Sequence, residues 1–138
     1  MTYTVYDPGE ITDAVIARII AQTSKEVGKA EAPDNTTTPY VVVYPLEDFD
    51  SFGSLGDPDA EVWWERQITC VGSDGEEAEW MQHKVRAALS GWKPTITGVS
   101  TGRVFLARGS GVRRDPPDVE GERRFTTADT FRLFTSPS

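Results

Sequence analysis

The sequence predicts an α+β fold in which two helices pack on one face of a mostly antiparallel sheet, followed by a long β-hairpin. Two observations carry this prediction. Segments of helical and of strand periodicity follow one another in the order helix, strand, long loop, strand, helix, and two further strand-like segments close the chain. With 138 residues the chain has the size of one domain with a single two-layer core, so residues 1–138 are assigned to one domain.

The first predicted helix covers residues 11–27. Thr12 is placed to cap its N-terminus, and Gly28 is placed to end it. One stripe broad enough to cover a sheet runs along it at spacings of three and four residues. The stripe consists of Val15, Ile16, Ile19, Ile20, Thr23 and Val27.

A strand and a long acidic loop follow the first helix. Residues 40–44 are a continuous β-branched and aromatic run, typical of a strand that is central in its sheet, and Pro45 ends it. Residues 46–60 carry five acidic residues and no lysine or arginine. The loop also contains Phe49, Phe52 and Leu55, too many apolar residues for a freely solvated loop, so it should pack on its own domain or on a neighbour.

The second predicted strand, over residues 61–71, alternates between an apolar and a polar face. The apolar set is Val62, Trp64, Ile68 and Cys70, and the polar set is Glu65, Gln67 and Thr69. This alternation at period two predicts a half-buried strand.

The second predicted helix begins directly after that strand. Ser73 and Glu76 have the spacing of a capping box, and Gly91 is a natural stop. The buried stripe is predicted to be Ala78, Met81, Val85, Ala88 and Leu89, with Glu77, Gln82, His83 and Arg86 facing away.

The rest of the chain predicts the β-hairpin. Residues 99–108 begin a strand, residues 109–111 end it, and residues 125–134 form the returning strand. Between them, residues 112–121 contain two adjacent prolines and are predicted to form an exposed loop that is mobile in the free protein.

Charge is distributed unevenly along the chain. Residues 1–69 contain 4 basic and 13 acidic residues, a net charge of −9, whereas residues 70–138 contain 10 and 9, a net charge of +1. The total of −8 disfavours a sequence-independent grip on nucleic-acid phosphates. Opposite charge in the two halves permits head-to-tail contact between copies.

Few residues suit catalysis or metal binding. His83 is the single histidine and falls on the outer side of its helix, and the single cysteine, Cys70, falls on the apolar face of its strand. One histidine and one cysteine cannot assemble a metal cluster of usual ligand spacing. The acidic residues Asp48, Asp50, Asp57 and Asp59 lack the spacing and closing glutamate of an EF-hand. We therefore expect no enzyme activity, no metal and no cofactor.

The N-terminus lacks the basic and apolar stretches of a signal peptide, and no apolar run approaches the roughly 20 residues that a membrane span needs. We expect a soluble, unexported chain with no membrane partner.

Several segments resemble the tail terminator proteins of long-tailed phages, especially those that infect actinobacteria, and lambda-like terminators. The matching segments are VVVYP (41–45), WWERQITCVG (63–72), EEAEWMQHKVRAAL (76–89), the N-terminal helix (11–27) and an Arg- and Thr-rich hairpin (103–134). The most specific part is QITCVG with EEAEWM and VRAAL. The resemblance covers nearly the whole chain and implies the same α+β fold.

The resemblance also implies a function. Tail terminators form a ring, commonly a hexamer, on the head-proximal end of the tail tube and end tube polymerisation there. The implied partners are other copies of the chain, the major tail tube protein and a head-closure or neck connector protein, while DNA passes through the lumen without specific binding. The implied location is the tail–neck junction of the virion, after assembly in the host cytoplasm.

A ring needs two different patches on each copy, and two charged segments are the candidates. The acidic candidate comprises Asp48, Phe49, Asp50, Phe52, Asp57 and Asp59. The basic candidate comprises Arg113, Arg114, Arg123 and Arg124. These arginines could also contact phosphates, but four acidic residues lie among them, which favours a mixed-charge protein contact.

Two alternatives remain open from the sequence. The chain could be another phage neck protein, such as a head-closure or tail-completion protein, because these are also small α+β ring formers. It could instead be a stand-alone bacterial binding module or an unrecognised enzyme. A chain that stays monomeric at high concentration and in the presence of tail-tube protein would favour the second alternative.

Overall fold

A computed structural model describes residues 8–33, 37–45, 49–50, 62–96, 99–114 and 124–137. Within them the chain forms two helices, α1 (Pro8–Thr23) and α2 (Gly75–Leu89), and eight strands. The strands are β1 (Val27–Lys29), β2 (Tyr40–Pro45), β3 (Phe49–Asp50), β4 (Val62–Gly72), β5 (Val99–Thr101), β6 (Phe105–Arg108), β7 (Arg113–Arg114) and β8 (Phe125–Pro137). The predicted α+β class is confirmed.

The strands belong to one sheet with the order β1-β2-β4-β8-β5, and β3 adds to β4. The long strand β8 pairs with β4 along one edge and with β5, β6 and β7 along the other. Among the described strands β1 and β2 run parallel, and the other pairs are antiparallel. The run at 40–44 is therefore central, as its composition predicts.

Both helices pack on one face of this sheet. The β4–β8 register places Trp64 opposite Leu133 and Ile68 opposite Asp129, so even-numbered residues of β4 and odd-numbered residues of β8 share a face. The core on this face is a single cluster that includes Ile11, Val15, Ile19, Val41, Val43, Trp64, Ile68, Met81, Val85, Leu89, Phe131 and Leu133. The predicted inward stripe of α2 is buried throughout. Neither helix in the described part of the chain is long and apolar enough to cross a membrane.

The first helix differs from its predicted limits at both ends. It begins at Pro8, a residue favoured in the first helical turn because its missing N–H would be unsatisfied there anyway. Thr12 is therefore not a cap. It lies inside the helix, 1% exposed, and its hydroxyl accepts a hydrogen bond from Arg66 Nε at 2.8 Å.

The helix ends at Thr23, because Ser24 adopts a positive φ of 58° that breaks the helical path. Val27 was predicted to continue the helix, but it starts β1 and pairs with Val41. The predicted burial of Ile20 is also wrong, because its side chain is 45% exposed.

The start of α2 is one residue later than predicted. Asp74, not Ser73, is the N-cap, and its carboxylate accepts the Glu77 N–H at 2.7 Å. The Glu77 carboxylate accepts the Ser73 N–H at 2.9 Å. The sequence contains two overlapping patterns of the capping-box type, Ser73 with Glu76 and Asp74 with Glu77. The structure uses the second. The predicted end is confirmed, since Gly91 has a φ of 79° just beyond the helix.

The strand predicted for residues 99–108 is interrupted between β5 and β6. Val104 is 3% exposed, and its N–H donates to Trp92 O at 2.8 Å while its carbonyl accepts the Gly91 N–H at 2.8 Å. The chain leaves the sheet here because the backbone of Val104 pairs with the turn that follows α2.

Candidate functional site

The sheet face opposite the helices carries an open groove of about 390 Å³, built on β2, β4 and β8. Val42 and Val71 line it and are only 3% and 5% exposed, although they point away from the core. Tyr40 and Tyr44 lie on the same face of β2, spaced by two residues on either side of Val42, and both are half-buried. The groove therefore offers apolar surface together with phenol groups.

Two arginines lie at one end of this groove. Arg113 is exposed on β7 and pairs through its backbone with Thr126, and Arg124 stands half-buried directly before β8. No aspartate or glutamate occurs among the described residues that line the groove. The charged side chains among these described lining residues are therefore the two arginines.

The structure brings part of the predicted basic patch together. Arg113 and Arg124 line the groove, and Arg114 lies beside them, exposed and paired with Phe125. Arg123 lies outside the described residues. Residues 113–114 were predicted to be in a loop, and this is wrong, because they form β7 by pairing with Thr126 and Phe125 at the start of β8. Of the predicted mobile loop, residues 115–121 lie outside the described part, so the prediction stands untested.

The predicted acidic patch is described only at Phe49 and Asp50. These residues form β3 and pair with Trp63 and Val62, at the beginning of β4. Asp48, Phe52, Asp57 and Asp59 lie outside the described residues. The groove arginines lie beyond Val71, near the other end of β4. Since a strand rises about 3.3 Å per residue, the two patches are attached about 30 Å apart.

An aromatic cluster occupies the other end of the same sheet face. Trp63 contacts Phe134 and Phe105 edge to face, with ring centroids 4.6 Å and 6.1 Å apart. The Arg132 guanidinium lies 5.4 Å from the Trp63 ring and forms an ion pair with Glu65. These contacts order the surface next to β3, which pairs with β4 at Trp63.

A buried polar cluster joins α2 to β8 on the helical face. Asp129 is 2% exposed and accepts two hydrogen bonds from Arg86, at 2.7 Å and 2.9 Å. The Gln82 amide donates to Asp129 Oδ1 at 3.0 Å and to the Ser110 carbonyl at 2.8 Å. The forked contact raises the pKa of Arg86 and keeps it charged.

The sequence analysis missed this cluster. Gln82 was predicted to face away, which is wrong, because it lies on the flank of the buried stripe where the 109–110 turn covers it. A signal did exist, since Asp129 stands at an inward position of β8, and a lone carboxylate there requires a buried partner.

A buried cation, Arg66, was also missed. Arg66 is 2% exposed, shares the inner face of β4 with Trp64 and Ile68, and donates to Thr12 and to the carbonyl of Glu65. Its inward position in β4 could have been found from the strict alternation of that strand. The arginine ties α1 to the sheet.

The thiol and the imidazole take no part in a catalytic arrangement within the described residues. Burial raises the pKa of Cys70 to about 12, so the thiol stays protonated and unreactive at neutral pH. His83 is exposed on α2, as predicted. No cluster of three or more potential metal-ligating side chains occurs among the described residues.

Solved structures share this fold. A chain from the virion of a native gene transfer agent particle superimposes with a TM-score of 0.69 at 18% identity, covering 96% of this chain and 99% of that one. A second solved chain gives a TM-score of 0.57 at 17% identity, with 97% and 99% covered. The likeness shows the fold. No protein-family model and no curated protein matches the sequence.

Proposed function

We propose that this chain is a structural protein of a phage-like virion that forms a ring, expected to be a hexamer, on the head-proximal end of the tail tube. The ring occupies the surface on which the next layer of tube protein would stack, so it ends tube polymerisation. Its other side then forms the joint to the head. The observation that carries this proposal is the end-to-end fold likeness to a chain of the gene transfer agent virion.

The placement of charge supports ring formation. A closed ring needs heterologous contacts, in which one patch of each copy meets a different patch of the next. The acidic segment is attached at the β3 end of β4, and the arginines Arg113 and Arg124 lie at the opposite end. One copy can therefore present opposite charges to its two neighbours.

The partners of the ring follow from the same role. They are further copies of this chain, the major tail tube protein on one side and a head-closure or neck connector protein on the other. DNA crosses the lumen during injection, and a chain with a net charge of −8 does not hold phosphates tightly. The role is binding rather than turnover.

Disruption of the gene in the parent virus tests the proposal. Electron micrographs of the lysate should show tails that exceed normal length, together with filled heads that carry no tail. Supplying the intact gene from a plasmid should restore normal, joined particles. Tails of normal length that fail to join heads would instead indicate a head-closure role, and normal infectious particles would overturn a role in the tail altogether.

A further inference from the structure

We propose that the outer face of α2 binds the same face of a second copy, in an antiparallel helix pair centred on Trp80. The contact is isologous, because both copies use the same surface. It goes beyond the proposed function. A cyclic ring closes through two different surfaces of each copy, so this contact joins either two free copies or two rings.

Trp80 supplies the apolar part of this face. It is 45% exposed, although it is the largest side chain of α2. The ammonium groups of Lys25 and Lys84 lie 5.8 Å and 5.6 Å from the centre of its ring, and these cation–π contacts hold the ring in place. A side chain that is already held loses little conformational entropy when a partner covers it. Tryptophan is also among the residues that contribute most to protein interfaces.

The order of charges along α2 identifies a second copy as the partner. Glu76 and Glu79 precede Trp80, Lys84 follows it, and all four residues are exposed. Glu76 and Lys84 each lie four residues from Trp80, so the three side chains follow one another on the same side of the helix. In an antiparallel pair with Trp80 opposite Trp80, Glu76 of each copy lies opposite Lys84 of the other. The face is therefore complementary to itself.

The same charges exclude a parallel pair. Parallel helices in this register would place Glu76 against Glu76 and Lys84 against Lys84, and their dipoles would also repel. Both charges are available for the antiparallel contact. Neither side chain forms an ion pair with another residue in the described part of the chain. The Lys84 ammonium has three N–H donors, and its contact with the Trp80 ring leaves donors for a carboxylate.

Sedimentation velocity of the full-length protein over a range of concentrations tests the contact. Trp80→Ala should weaken self-association at least about tenfold, because it removes the centre of the interface. In conditions where rings form, the same measurement reports the ratio of paired to single rings. Thermal melting checks that the variant is folded.

Ile20→Ala is the matched control. Ile20 is also an aliphatic or aromatic side chain that is 45% exposed, but it lies on α1. Arg18 faces α2, since its Nε donates to the Ala88 carbonyl at 3.0 Å, and residue 20 is about 200° further around the helix. Ile20→Ala should therefore change self-association less than about twofold. Equal self-association of the parent chain and Trp80→Ala would overturn the proposal, and so would a parent chain that stays monomeric up to about 1 mM.

Charge reversal tests the antiparallel register. Lys84→Glu alone and Glu76→Lys alone should each weaken self-association at least about fivefold, because each places like charges opposite one another twice. Neither change touches the helix cap, which uses Asp74 and Glu77. An equimolar mixture of the two variants should associate within about twofold of the parent chain, because an acidic face then meets a basic one. The double variant should recover as well. A mixture that associates no better than either variant alone would overturn the proposed pairing.

The two proposals can fail separately. Weaker self-association of Trp80→Ala, together with normal particles after gene disruption, would leave the helix pair and overturn the tail role. Overlong tails after gene disruption, together with equal self-association of the parent chain and Trp80→Ala, would leave the tail role and overturn the helix pair.

Discussion

At the scale of single residues, the ion pair between buried Asp129 and partly exposed Arg86 determines how α2 meets β8. Removing charged groups from water is costly, so an isolated ion pair of this kind adds little net stability. Here Gln82 donates a further hydrogen bond to the carboxylate, and its amide also holds the Ser110 carbonyl. The cluster therefore fixes one relative position of helix, strand and turn, because any shift would leave a buried carboxylate unpaired.

Gly109 is the residue at which this cluster can be tested with least disturbance. A β-carbon at this position would lie 2.5 Å from Arg86 Nη2 and 3.1 Å from Asp129 Oδ1. Gly109→Ala should therefore displace the guanidinium and cost about 1–3 kcal/mol of unfolding free energy, measured by urea denaturation.

The matched control is two residues away. A β-carbon on Gly111 would meet nothing within 4 Å, and neither glycine has a positive φ that would strain alanine. Gly111→Ala should leave stability within about 0.5 kcal/mol of the parent chain or raise it slightly. Equal stability of the two variants would show that the ion pair tolerates displacement at no cost.

At the scale of secondary-structure elements, α1 shows how a helix's own pattern can mislead. Its apolar stripe is wider than the surface it covers, and two adjacent isoleucines end in opposite environments. Ile19 is fully buried in the core, whereas Ile20 is 45% exposed. The helix sits over β1, β2 and α2, and residues 19 and 20 differ by about 100° around the helix axis.

These two isoleucines predict different costs for the same substitution. Ile19→Ala should lower the free energy of unfolding by about 2–5 kcal/mol, since it leaves a cavity in the core. Ile20→Ala should lower it by less than about 1 kcal/mol, because much of that side chain is already in water. Denaturant titration of both variants, with helix content compared by circular dichroism, checks this. A larger loss at Ile20 would mean that the helix is rotated relative to the sheet.

At the scale of the whole molecule, charge is the property most relevant to assembly. The half with a net charge of −9 and the half with a net charge of +1 are joined in one sheet, since β2 and β8 pair with opposite edges of β4. Charge is therefore polar along the sequence, a property that suits head-to-tail association.

This polarity predicts that association depends on salt. The dissociation constant of the subunits should rise when ionic strength is raised from about 0.05 M to about 0.5 M, because the screening length falls well below the dimensions of the interface. Sedimentation velocity at several salt concentrations measures this, and the unfolding midpoint is recorded at each concentration to show that the fold is unchanged. Association that strengthens with salt would indicate an interface held by apolar contact alone.

Local sequence determined the class of the fold and most of its elements. The alternation at 62–71 and the spacing of Ala78, Met81, Val85 and Leu89 arise from the periods of strand and helix, which depend on neighbouring residues only. The ends of the helices and strands were predicted less well, by one or more residues, because neighbouring residues carry competing signals for where an element begins or ends. Ser73 and Asp74 both carry cap-forming side chains, and a valine such as Val27 suits either a helix or a strand.

Only the tertiary structure decided which distant residues meet. The pairing of Arg86 with Asp129 spans 43 positions, and the groove joins residues of β2, β4, β7 and β8. The exposed position of Ile20 likewise depends on how much of α1 its neighbours cover. Strand order, register and helix packing set such contacts, and no periodic pattern within one segment specifies them. The charged segments were visible in the sequence, but the positions of Asp50 and Arg113 at opposite ends of one sheet follow from the pairing of β4 with β3 and of β8 with β7.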